Sequence, residues 1–159
     1  MRTLAAHGVH AVLPVGFEGR IHRHEPTAGE QTYAVAHFST FALPPTTADF
    51  GNGAVQLMGT RDIFAVLLEF GPESAGRRLF ADHGMPRAFE SRDFSRLAAR
   101  DGTGVHTAVQ RFFVEGGRPF TLYVVLGSHL GRRALLAPLR SLLDGIHVEP
   151  HAAPRLAIS

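Results

Sequence analysis

Hydrophobic and polar positions alternate most regularly over residues 105–126, where two β-favouring runs flank Gly116-Gly117. A Gly-Gly pair accepts positive φ at both turn positions, so the pattern predicts a hairpin closed by a two-residue type I′ turn. That turn sets the register: Glu115 opposite Arg118, Phe113 opposite Phe120, Val109 opposite Val124. One face then carries Val105, Thr107, Val109, Phe113, Phe120, Leu122, Val124 and Leu126. Only Arg111 interrupts it, and its aliphatic stem can lie along apolar surface. The opposite face, with His106, Ala108, Gln110, Phe112, Thr121, Tyr123 and Val125, is more polar. An isolated hairpin is marginally stable, so the rest of the chain is expected to supply further strands and a covering helix.

The flanking sequence supplies both. Residues 8–14 read as a strand ended by Pro14, and residues 16–24 as a second strand after a turn. Residues 25–31 hold Pro26 and Gly29 and form a hairpin loop. Residues 32–41 are apolar on both faces, which predicts a central strand. Residues 42–53 are loop, and residues 54–58 a brief strand. Residues 63–70 are continuously apolar, the pattern of a strand buried on both sides. Residues 71–103 are a long irregular stretch in which Phe80, Phe89, Phe94 and Leu97 act as core anchors and residues 93–99 form a helical turn. Leu135, Leu136, Leu139, Leu142 and Leu143 recur at helical spacing over Arg132–Asp144. Pro138 predicts a kink or a restarted first turn there, and Gly145 suits the stop just past the helix end. Ile146–Val148 is a last short strand. The sum is a single α+β domain over residues 1–149 with a tail at 150–159. Its predicted core is an antiparallel sheet of about five to seven strands covered by a C-terminal amphipathic helix.

Three features together resemble the Mog1/PsbP-like α/β/α sandwich superfamily. They are the opening strand leading into Leu13-Pro14-Val15-Gly16-Phe17-Glu18, the hairpin closing on Arg118-Pro119-Phe120, and the 135–145 helix followed by Ile146-His147-Val148. The resemblance implies a helix-covered sheet and a non-catalytic binding or assembly role. It carries over no catalytic residue.

Composition narrows the chemistry. With 159 residues, 45% hydrophobic and 19% charged, the chain is long enough and apolar enough for one packed core. No apolar run approaches the roughly 20 residues of a membrane span. The first ten residues lack a long apolar core, so no signal peptide is expected and a cytoplasmic location follows. There is no cysteine, which excludes disulfides, thiolate nucleophiles and cysteine zinc sites. All 16 basic residues are arginine, which excludes Schiff-base lysines and a P-loop lysine. The pI is near 9.9 but the net charge is only +2, so neither nucleic acid nor membrane is expected as a partner.

The sharpest local chemistry is His22-Arg23-His24. On a strand the two imidazoles project to one face, and His37 from the next strand can join them. Three imidazoles with an acid such as Glu25 or Glu30 suit zinc or iron. The spacing Gly16-x5-His22-x-His24 is similar to the opening of the cupin metal motif. The expected glutamate falls one residue late, at Glu30, and the second cupin motif is missing. No serine sits in a Gly-x-Ser-x-Gly elbow, and no glycine run forms a phosphate cradle, so no cofactor is implied. The tail ends in Arg155, Leu156 and Ile158, an apolar terminus expected to be held by a partner subunit or a second copy. The preferred expectation is a non-catalytic protein-interaction or assembly module, an accessory subunit of a larger complex. The alternative is a metal-binding protein or metal-dependent enzyme using His22, His24 and His37.

Overall fold

The computed structural model describes residues 1–24, 29, 31–45, 47–97 and 105–150. In chain order the strands are β1 (Arg2–Ala6), β2 (Val9–Leu13), β3 (Glu18–Arg23), β4 (Ala34–Ser39), β5 (Ile63–Glu69), β6 (Ser95–Arg96), β7 (Thr107–Glu115), β8 (Arg118–Leu126) and β9 (Ile146–Val148). The helix α1 (Arg132–Asp144) lies between β8 and β9. Six strands form one sheet in the order β3-β4-β5-β8-β7-β6, and three form another in the order β1-β2-β9. Neighbouring strands in both are antiparallel.

The β7–β8 hairpin has the expected register, with Glu115 opposite Arg118, Phe113 opposite Phe120 and Val109 opposite Val124. Gly116 and Gly117 take φ of 59° and 78°, a region that disfavours any side chain with a Cβ. Val109, Phe113, Phe120, Leu122, Val124 and Leu126 share one core with Leu135, Leu139, Leu142 and Leu143 of α1. The apolar stripe of the helix therefore covers the apolar face of the hairpin. Arg111 leaves that face by laying its guanidinium over the Phe89 ring, 5.6 Å from the centroid, and bonding Asp93.

The hairpin's second face is also covered. Ala108 and Val125 join Val35, Ala54, Met58, Phe64 and Val66 in a second core beneath the chain that follows β4. Phe112 packs with Phe70 and Phe80 further along the same face. Both faces of the large sheet being filled explains why all six residues of β4 are buried, as their two-sided apolar pattern predicts.

Several expectations are refined. The six-stranded sheet has the expected size, but β1, β2 and β9 form a second sheet, in which β2 pairs with both β1 and β9, and close over the first core through Val9, Ala11, Leu13 and Ile146. The stretch 54–58, expected as a strand, is a 3-10 turn at Val55–Leu57, since it caps the second core and has no partner strand. In place of a helical turn over 93–99, the described residues hold a 3-10 turn at Ser91–Asp93 followed by β6, which pairs with β7. Gly145 ends the helix as expected, with an ordinary φ of −87°. Glycine is needed there because a Cβ would collide with the Val12 carbonyl oxygen. That close approach lets the Val12 amide donate to the Gly145 carbonyl at 2.8 Å and ties the end of α1 to β2. Pro138 sits inside α1 without dividing it. Among the described residues, no helix is long and apolar enough to cross a membrane.

Candidate metal centre

The site lies on the second-core face of the large sheet, at its β3 edge. In the β3–β4 pairing, His22 faces Val35 and Arg20 faces His37. Alternation along the strands puts Arg20, His22 and His37 on one side, and His24 continues that side just past the end of β3. The His22 ring lies 5.4 Å from that of His24 and 5.5 Å from that of His37. His37 is fully buried and stacks on Phe64 at 5.6 Å.

The segment after β4 folds back across these side chains and is fastened at several points. The Leu43 amide donates to Glu18 Oε1 at 2.6 Å, and Arg20 Nη1 donates to the carbonyls of Pro44 and Pro45 at 3.1 and 3.2 Å. His37 Nε2 donates to the Asp49 carbonyl at 3.0 Å. Phe50 meets Tyr123 edge-on, and Gly51, at φ 89°, lies so close to Phe64 that a Cβ would collide with it. These contacts deliver the Asp49 carboxylate to the histidine pair, with Oδ1 2.6 Å from His24 Nε2. His22, His24 and Asp49 each then offer a ligand atom within 4.8 Å of the other two.

The electrostatics favour the neutral form of the inner imidazoles. Burial holds the His22 pKa below its ordinary 6.5, and the neighbouring His24 pushes the same way, with Asp49 opposing. Burial likewise lowers His37, against the opposing hydrogen bond to Asp49. A carbonyl only accepts, so His37 Nε2 carries the proton and its Nδ1 is a bare lone pair. That Nδ1 and the Nδ1 of His22 are both buried and without a hydrogen-bond partner. A neutral imidazole with a free lone pair is the form in which histidine ligates a metal.

The structure thus brings His22 and His24 together, as the His-x-His spacing predicts. His37 lies against them, but outside the three-residue group, with its Nε2 engaged by Asp49. Asp49, which its sequence context presents as a turn residue, stands where an acid was expected; no local spacing relates it to a histidine pair 25 residues away. Glu25 and Glu30, and the tail residues Arg155, Leu156 and Ile158, lie outside the described residues. Comparison with family models, curated proteins and solved structures finds no match to this chain.

Proposed function

We propose that this chain is a metal-binding module that holds a divalent first-row transition ion, with zinc as the reference case, through His22, His24 and Asp49. The observation that carries the reading is the convergence of three ligand atoms, one each from His22, His24 and Asp49, on a histidine pair in which the His22 Nδ1 is buried and has no hydrogen-bond partner. Two imidazoles and one carboxylate are a common donor set for zinc and non-haem iron, and they leave coordination positions open to water. Ligand atoms bound at about 2.1 Å stand roughly 3.0–3.4 Å apart. His24 is exposed, so its ring is free of packing that would hold it in one orientation. Binding the ion would replace the hydrogen bond between His24 Nε2 and Asp49 Oδ1.

The proposal keeps the non-catalytic reading of the chain and the resemblance to the Mog1/PsbP-like superfamily as an expectation. The assembly role expected from the tail has no geometry behind it, because those residues lie outside the described chain.

Elemental analysis after equilibration with zinc and removal of free metal tests the proposal. One zinc per chain is expected, lost in a His22→Ala, His24→Ala double variant. A wild-type chain without zinc, or a double variant that keeps it, overturns the proposal.

A further inference from the structure

We infer that His37 is a positioning residue for the metal centre, setting its affinity through the backbone of Asp49 without binding the ion itself. The inference rests on the metal reading above and adds to it a residue that controls the site. Asp49 plays two parts. Its side chain faces His22 and His24, and its main-chain carbonyl accepts from His37 Nε2 at 3.0 Å. The imidazole of His37 is held from the other side by its stack on Phe64 and by complete burial in β4, a strand paired along both edges. A donor fixed within the sheet therefore meets the segment at the one residue whose carboxylate must be presented. Nothing else described on that segment bonds directly to the Asp49 backbone from the sheet; the Arg20 and Glu18 contacts act four or more residues earlier, at Leu43, Pro44 and Pro45.

The bond also selects the tautomer. With the proton fixed on Nε2, the Nδ1 of His37 is left bare, buried and without a hydrogen-bond partner, in a ring whose centroid is 5.5 Å from that of His22. Groups that orient a metal ligand in this way commonly change affinity about 10–100-fold when removed.

Zinc titration of the full chain, read by calorimetry, distinguishes the two claims. Wild type binding no zinc removes the metal reading itself. If wild type binds, His37→Phe, which keeps the ring stack and removes the donor, is expected to weaken zinc about 10–100-fold. His37→Gln, whose amide reaches as far as Nε2, is expected to recover most of that loss. A purely structural role for the ring predicts the opposite order, because phenylalanine preserves the packing better than glutamine. Should His37→Phe fail to fold, Gly51→Ala moves the same segment from its far side and is expected to weaken zinc without touching a histidine. Zinc affinity unchanged in His37→Phe, or in Gly51→Ala where that variant is used, overturns the inference. Nitrogen-15 spectra add an independent readout. His37 Nδ1 keeping its metal-free shift on zinc addition supports positioning, and a shift typical of a zinc-bound nitrogen overturns it.

Discussion

Arg118 grips Glu69 at two points, Nε to Oε2 at 2.7 Å and Nη2 to Oε1 at 2.8 Å, with both side chains only 8% exposed. The remaining donors of the guanidinium reach the carbonyls of His7, Gly8 and Glu149 at 2.9, 3.2 and 3.0 Å. Glu69 and Arg118 belong to the large sheet, His7 and Gly8 to the turn between β1 and β2, and Glu149 follows β9. One planar cation therefore fastens the small sheet to the large one. The fork geometry of arginine suits this task, and a lysine ammonium cannot reproduce it.

Breaking that fastening is expected to be costly. Glu69→Ala leaves a buried guanidinium without its carboxylate and should destabilise the fold by about 3–5 kcal/mol, the usual penalty for removing one partner of a buried pair. Arg118→Lys should cost a comparable amount, because several carbonyls lose their donor. Urea denaturation measures both. A loss under about 1 kcal/mol in either variant would place the pair among weak surface bridges instead.

Gly145 separates two reasons for a glycine. At φ −87° an alanine suffers no backbone strain, and relief of unfolded-state entropy alone would make Gly145→Ala stabilising. The Val12 carbonyl lies where the new methyl must go, so the substitution is expected to destabilise by about 1–3 kcal/mol. A rise in thermal midpoint would mean that β2 and the end of α1 separate easily.

The orientation of α1 is tested by a pair of leucines. Leu139 is buried in the first core and Leu130, just before the helix, is 86% exposed. Leu139→Ala is expected to cost about 2–5 kcal/mol and Leu130→Ala no more than about 0.5 kcal/mol. Equal losses in denaturant midpoint would contradict the helix facing the hairpin.

Much of this fold is legible along the chain, for a physical reason. The hairpin register and the apolar stripe of α1 are local patterns, each set by a turn or by helical period, and both match the structure. The two-sheet arrangement is not local. β1 has no buried residue, so its pattern is that of an exposed edge, and β2 meets β9 from the opposite end of the chain. The candidate site divides in the same way. His22 and His24 are two residues apart on one strand and share a face by alternation. Asp49 reaches them only because Arg20, Glu18 and His37 bind the backbone of the segment that carries it. A single sequence holds no periodic trace of that contact.

The lowered pKa values of His22 and His37 set an acid limb on stability. Below pH 6.5 the unfolded chain takes up protons on these histidines that the folded chain resists. Their contribution is fully present above pH 6.5 and is lost as the pH falls below it. Replacing the buried His37 by phenylalanine is therefore expected to flatten the decline in metal-free protein, measured by urea denaturation across a pH series with chelator present. An acid limb as steep in His37→Phe as in wild type would contradict this assignment.

The metal reading is tested most directly by X-ray absorption at the zinc edge, on the full chain carrying one equivalent of zinc. The expected spectrum has two imidazoles and carboxylate or water oxygen at about 2.0–2.2 Å. A shell of oxygen alone, without imidazole scattering, would show that His22 and His24 do not hold the ion.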